Sequence, residues 1–282
     1  MIDTRLTRTL LVVLSSLVIG FAAVGCGDDD DDDGGNGGAE QAQELGTLKP
    51  GTLVVGSDIP FPPFELGRAP DYDGFDIDLI NEVATRLELE TEIQDTPFDT
   101  IFRDLAQGKF DVVASATTIT PERERRVDFS DPYYNAEQSV LVQEGSDIAA
   151  VEDLAGQTVG VQKGTTGEAY AKENADADEV RSYGEADDAI NALVAGQVDA
   201  VLQDLPVNQE AADTKGGLEV ATSIPTDEDY GLVFQEDADA LREAVNEALA
   251  EMKDDGTYER IYREWFDKAP PQAVLDATHE PE

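Results

Sequence analysis

The chain is 282 residues long and 40% hydrophobic, and its 62 acidic and 19 basic side chains give a formal net charge of −43. This length holds one large domain or two lobes with real cores, while a surface of that sign excludes nucleic acid, whose phosphates need the opposite charge. The lone cysteine excludes an intrachain disulfide, and the lone histidine, His279, excludes Ser-His-Asp or Cys-His catalysis and histidine-built metal sites.

Arg5 and Arg8 precede an apolar run from Leu10 to Val24, which closes on Ala23-Val24-Gly25-Cys26. A charged start, a short apolar stretch and small residues before a cleavage point read as an export signal over residues 1–25. The run has about 15 residues, short of the roughly 20 that span a bilayer as a helix. Cys26, directly after Ala-Val-Gly, resembles the lipidated cysteine of bacterial lipoprotein signals. Several acyl chains on one residue anchor far more firmly than one. Asp28 to Asp33 and Gly34-Gly35-Asn36-Gly37-Gly38 then predict a disordered acidic tether over 26–46, a solvated spacer rather than a calcium site.

Regular patterning begins near Thr47. Thr52 to Gly56 predicts a buried strand, and Phe75, Ile77, Ile80, Val83, Ala84 and Leu87 recur at helical spacing. Ile101, Phe102 and Leu105 mark a second helix ending near Gly108, and Asp111 to Ser115 a second strand. The pattern then returns: a strand at Val159-Gly160-Val161, a helical stripe of Ile190, Leu193 and Val194, and a strand from Val198 to Leu202. Leu105-x-x-Gly108-x-x-Asp111-x-Val113 aligns with Leu193-x-x-Gly196-x-x-Asp199-x-Val201. Strands alternating with helices, twice over, predict two similar α/β lobes with parallel sheets.

Ser139 to Gln143 is expected to leave the first lobe, and Tyr230 to Phe234 to return to it. Ala238 to Asp254 reads as a helix with Gly256 at its end, and Tyr258, Ile261, Tyr262, Trp265 and Phe266 as an aromatic stripe packed on lobe 1. The boundaries are lobe 1 over 47–137, lobe 2 over 138–229, a return to lobe 1 over 230–268, and a disordered tail over 269–282.

In open parallel sheets ligands bind beyond the carboxyl ends of strands. Those ends deliver Asp58 and Phe61, Ala116 to Thr118, Gln162 to Thr166, and Gln203-Asp204 toward one cleft. Arg123 follows Thr120-Pro121, which reads as the N-cap and first residue of a helix. A guanidinium there can fork onto a carboxylate, or it can be one more surface charge in Glu122-Arg123-Glu124-Arg125-Arg126. Gly164-Thr165-Thr166-Gly167 is a turn or an anion-binding loop of N–H groups, and it lacks the Gly-Lys-Ser/Thr ending of a phosphate loop. Asp204 is a helix cap or, opposite Arg123, the other half of an amino-acid clamp. Asp71, Asp73, Asp76 and Asp78 fail the calcium-loop spacing and read as loop and helix-start residues.

With Gly56-Ser57-Asp58, Phe61-Pro62-Pro63-Phe64, Gly74 to Leu79, Thr118 to Arg123, Val127 to Ser130, Pro132-Tyr133-Tyr134, Gly164-Thr165-Thr166 and Asp255 to Tyr258, the chain resembles a known family. These are the extracytoplasmic solute-binding proteins of ABC importers for polar amino acids, in particular the glutamine-binding and the histidine- or lysine/arginine/ornithine-binding members. The resemblance spans about Leu48 to Phe266. It implies the α/β periplasmic-binding-protein type II fold, two α/β lobes joined by two crossover strands. It further implies that Arg123, with Thr118 and the Thr166 backbone, grips the ligand α-carboxylate. Asp204, with the backbone near Ala116, takes the α-ammonium; Phe61 and Phe98 sandwich the side chain; Asp58 and Gln162 meet its far end. Where glutamine binders carry lysine and histidine, this chain has Gln162 and Gln203, whereas Asp58 matches binders of basic amino acids and histidine. One acid and two amides favour a neutral amide or a cationic ligand over glutamate.

The expectation is therefore a monomeric lipoprotein on the outer face of the cell membrane, without cofactor or metal. It hands an amino acid to an ABC permease and breaks no bond. A dehydratase of a cyclic amino-acid precursor on the same scaffold, with Asp58 or Glu65 as general acid, is the alternative, as is a ligand-sensing module for a separate partner.

Overall fold

The computed structural model describes residues 44–279; the export signal, Cys26 and most of the tether lie outside the described residues. Strand β1 (Thr52–Ser57) is apolar and buried, and the hairpin β2 (Leu66–Arg68) and β3 (Asp71–Asp73) leads into helix α1 (Phe75–Arg86). Strand β4 (Glu90–Asp95), helix α2 (Phe98–Ala106) and the short strands β5 (Val112–Val113) and β6 (Val127–Phe129) complete the first passage. A long strand β7 (Tyr134–Gln143) then enters the second lobe. It is followed by β8 (Thr158–Gln162), α3 (Thr166–Asn174), β9 (Glu179–Tyr183), α4 (Ala186–Val194), β10 (Ala200–Asp204) and α5 (Leu205–Lys215). The long strand β11 (Leu218–Tyr230) leads back to β12 (Val233–Gln235), α6 (Asp239–Asp255), α7 (Thr257–Phe266) and α8 (Gln272–Asp276).

Two five-stranded sheets result, ordered β4-β1-β5-β12-β6 and β11-β7-β10-β8-β9. Each is parallel through its three βαβ strands and antiparallel where β6, β7, β11 and β12 join it. The crossover strands explain the mixture, because they enter each lobe from the other and not over a helix. β7 and β11 pair along their length from Tyr134↔Tyr230 to Gln143↔Leu218, with register shifts between Val220 and Thr222 and between Ile224 and Glu228.

The sequence repeat has a structural cause that is the same in both lobes. Gly108 (φ 70°) ends α2 and Gly196 (φ 68°) ends α4, each in the left-handed region where a Cβ is disfavoured. Three residues on, Asp111 accepts the Val54 N–H at 2.8 Å, and Asp199 accepts the Thr158 N–H at 2.8 Å. Each aspartate thus pins the incoming helix–strand turn to the first strand of its lobe's parallel βαβ passage.

Lobe 1 closes over an aromatic core. Phe64 meets Tyr134 edge-on at 5.0 Å and Tyr230 at 5.4 Å, and Phe75 meets Tyr262 at 5.7 Å and Phe266 at 5.1 Å. Edge-to-face pairs of this kind add to the burial term. Tyr134 and Tyr230 are the lobe-1 ends of the crossovers, so both hinge strands are rooted in rigid packing.

Two expectations are corrected. Residues 121–126 form turns, not a helix, because β6 begins at Val127 and leaves no room for a second turn. Asp76 does stand in the first turn of α1, and it is buried at 0% exposure, its Oδ2 accepting from the Tyr133 hydroxyl at 2.6 Å and the Ala116 N–H at 2.8 Å. The described part of the tail is ordered on lobe 1. α8 buries Val274, and the His279 N–H donates to Asp131 at 2.7 Å. Val274, a contact of the His279 ring with Phe129, and polar contacts of His279 with Asp131 and Glu124 hold a segment that reads as polar.

Candidate functional site

The carboxyl ends of β1, β8 and β10 and the segments after β5 meet around a small, nearly closed pocket. It is lined by Asp58, Phe61, Phe98, Ser115, Ala116, Thr118, Arg123, Gln162, Thr165, Thr166 and Asp204, so the structure gathers the nine candidate residues and adds Ser115 and Thr165. A wider cleft of about 900 Å³ adjoins it, sharing Arg123, Thr165 and Thr166 and reaching Phe102 and Lys172.

Arg123 sits on the short turn, its N–H held by the Thr120 hydroxyl at 3.2 Å. Its guanidinium donates to the Thr118 carbonyl at 2.7 Å and, across the cleft, to the Gly164 carbonyl at 3.3 Å. Phe98 and Phe102 flank it, with ring centroids 5.3 and 5.2 Å from the guanidinium carbon. Burial lowers its pKa to about 10, against the upward pull of Asp204 and Glu228, so it is a cation at neutral pH. It uses two of its five N–H donors on carbonyls and has others to offer.

Asp204 ends β10 at the start of α5, yet its side chain makes no capping bond. Its carboxylate instead accepts from the Gln138 amide and, at 2.5 Å, from the Tyr230 hydroxyl. Burial and then the charge of Glu228 raise its pKa to about 7, against the donors and Arg123. Glu228, on β11, is 8% exposed and gathers both lobes: it accepts from Thr118 at 2.9 Å, from Thr166 at 2.6 Å and from Gln138 at 3.0 Å. The Thr118 and Thr166 hydroxyls are therefore spent on Glu228. At the glycine loop, the Gly164 N–H is taken by Glu168 at 2.7 Å and the Thr165 hydroxyl caps α3, accepting from the Glu168 N–H at 3.1 Å. What remains open at the pocket is the first turn of α3, where a helix favours an anion.

At the other end of the pocket, Asp58 is 2% exposed and accepts from the Gln162 amide at 2.6 Å. Its pKa is pushed up to about 8, first by burial and next by the charge of Glu185. Phe61 is fixed by a backbone bond from its N–H to the Glu65 carbonyl at 2.8 Å. Ala116 sits in the left-handed region at φ 40°, held by the bond from its N–H to Asp76. Lobe-to-lobe contacts surround the pocket: Gln162 to Asp58, Arg123 to Gly164, and Lys163 to Asp99 at 3.0 Å. An aromatic-walled slot with a cation and a helix start near one carboxylate pair, and a third buried carboxylate at its far end, can hold both charges of a zwitterion and a polar or charged side chain.

Glu228, Gln138 and Glu185 escaped sequence reasoning. Glu228 lies in Thr226-Asp227-Glu228-Asp229-Tyr230, which looks like a solvated acidic run, although it alternates in step with the buried Ile224 and Tyr230. Among the described residues, no group of three or more His, Cys, Asp or Glu side chains is placed to hold a metal, and no helix is long and apolar enough to cross a membrane.

The comparisons agree on one family. The profile of bacterial extracellular solute-binding proteins, family 3, matches residues 53–268. The chain is 34% identical over 217 residues to ABC transporter arginine-binding protein 1 of Escherichia coli, covering 75% of this chain and 89% of that protein. It is 33% identical over 239 residues to the histidine-binding periplasmic protein of the same organism, covering 77% and 88%. A solved ancestral arginine-binding protein bound to arginine superposes with a TM-score of 0.74 at 39% identity, over 77% of this chain and 98% of that one. The two-lobed architecture is accordingly the type II periplasmic-binding-protein fold. By the match over residues 53–268 and by these relatives, the chain belongs to the bacterial extracellular solute-binding proteins, family 3.

Proposed function

We propose that this protein captures a free α-amino acid with a cationic side chain between its lobes and delivers it to an ABC permease, while tethered to the outer face of the membrane through Cys26. Arg123 and the α3 N-terminus take the α-carboxylate. Asp204, backed by Glu228, takes the α-ammonium. Phe61 and Phe98 flank the aliphatic stem, and Asp58 with Gln162 meets the cationic end. The observation that carries the choice of a cation over a neutral amide is Asp58, a buried carboxylate whose charged neighbours, Glu185 and Asp95, are both acids. The arginine- and histidine-binding names of the relatives support it. Binding without catalysis belongs to the same reading. Of the two acids a dehydratase could recruit, Glu65 is fully buried and does not line the pocket, and Asp58 is engaged by Gln162.

Titration calorimetry and thermal shift against the twenty amino acids and ornithine test it. Arginine, lysine or ornithine at 100-fold over Kd should stabilise the protein by about 2.7 kcal/mol, and aspartate and glutamate should do nothing. No response to any amino acid would defeat the whole reading, and a response to glutamine alone would defeat its cationic part. Because Asp58 is raised to about 8, it is largely protonated at pH 7, and a bound cation must expel that proton. Calorimetry in buffers of different ionisation enthalpy should show proton release at pH 7 that fades above about pH 9; uptake or no exchange would count against Asp58 as the contact.

The anchor has a separate test. Cys26→Ser should move the protein from the membrane fraction to the soluble extracytoplasmic fraction with ligand binding intact. Unchanged membrane retention would refute lipidation at this residue.

A further inference from the structure

A second carboxylate stands beside Asp58, contributed by the other lobe. β8 and β9 run parallel with Gln162 opposite Tyr183, so the residues after β9 emerge next to Gln162. The Gln162 amide spans the gap, donating to Asp58 Oδ2 at 2.6 Å and lying 3.4 Å from the Gly184 carbonyl. Glu185 follows at once. It occupies the N-cap of α4, where an acidic side chain ordinarily accepts from the first turn, yet it makes no such bond. Its Oε2 is buried, as is Asp58 Oδ1, and the two carboxyls stand within hydrogen-bonding reach of each other across the lobes. Burial and then the charge of Glu185 raise the pKa of the Asp58 carboxyl; burial and then Asp95 raise that of Glu185, against a hydrogen bond with Asp58, and the further groups around it, Asp99 and Asp188, are acids as well. Lys163, the nearby cation, is already paired with Asp99 at 3.0 Å.

Asp58 belongs to lobe 1 and Glu185 to lobe 2. Closing the lobes therefore drives two carboxylates together in a partly desolvated place, which is unfavourable unless a proton or a cation lies between them. We infer that Glu185 and Asp58 form a divided carboxylate pair that makes lobe closure conditional on positive charge in the ligand side chain, with a guanidinium as the preferred group. A guanidinium has a planar fork of five donors and can bond to carboxylates on both sides at once, whereas an ammonium is a compact point charge. The inference rests on the capture reading above and deepens it.

Arginine and citrulline separate charge from shape, since citrulline keeps the length and plane of arginine and loses its charge. Wild-type protein is expected to bind arginine at least about 100-fold more tightly than citrulline, and Glu185→Gln to shrink that ratio about tenfold. Small-angle scattering should show arginine, but not citrulline, compacting the wild type, and both compacting the variant. An equal loss for both ligands would mean that Glu185 is only structural, and an unchanged ratio would mean that it does not sense charge; either overturns the inference while leaving amino-acid capture standing. If the wild type binds neither ligand, capture itself fails and this inference with it. Glu185→Ser, which places a capping hydroxyl at the start of α4, supplies the same comparison should the glutamine variant fold poorly.

Discussion

Arg123→Ala is expected to abolish amino-acid binding, a loss of about 3–5 kcal/mol or roughly 100- to several-thousand-fold, with the lobes still folded. The magnitude follows from what the residue does in the proposed complex. A half-buried guanidinium held between Phe98 and Phe102 would meet the ligand carboxylate in a charge-assisted bond with little reordering. Alanine leaves that carboxylate facing Asp204 and Glu228 with no cation beside it. The fold should survive because Arg123 stands on an irregular turn and bonds only to two carbonyls. Calorimetry and circular dichroism on the same sample check both halves, and micromolar binding by a folded variant would end the clamp assignment.

Asp204→Asn should weaken binding by about 2–4 kcal/mol and at the same time flatten the pH dependence of the unliganded protein. The second effect has a defined sign. The folded-state pKa of Asp204 is raised to about 7, above the ordinary 3.8, so the folded protein holds the proton more tightly than the unfolded chain. Its contribution therefore favours folding at low pH and is lost as pH climbs from about 4 through 7. Asparagine removes that titration, while Asp58 continues to act up to about pH 8. Melting curves from pH 4 to 9 should accordingly show a shallower decline in the variant. Unchanged slopes would mean that Asp204 is not the titrating group, and unchanged affinity would mean that it does not hold the ammonium.

Periodicity and punctuation carried the lobes because those signals are local. The Gly-x-x-Asp repeat could be read before its reason was visible, namely that Asp111 and Asp199 each fasten a turn to the first strand of a lobe's parallel βαβ passage. Glu122 to Arg126 has good helix formers and reads as a helix, and only the early start of β6 forbids one. Asp204 stayed ambiguous between cap and ligand group until its carboxylate was seen to bond Tyr230 and Gln138 rather than the α5 N–H groups. Glu228 and Glu185 were hidden for a different reason. In a chain at −43, an acid drawn into the cleft looks like any acid on the surface, and only the pairing of β7 with β11 and of β8 with β9 singles out these two.

The strand order of lobe 1 also dictates a sequence of events as the chain is made. Every strand of the second sheet lies between Tyr134 and Tyr230, so that lobe can finish its sheet from one continuous stretch. The first sheet cannot: β12, which arrives only at Val233, must insert between β5 and β6, and α6 and α7 come later still. Lobe 1 therefore begins first and completes last, and its β5 and β6 edges stay open until the whole of lobe 2 has passed. Contacts over such separations slow folding and leave strand edges exposed in the meantime. The delay falls on the lobe that carries Arg123, so a newly delivered chain acquires the Asp204 half of its pocket before the Arg123 half is secured.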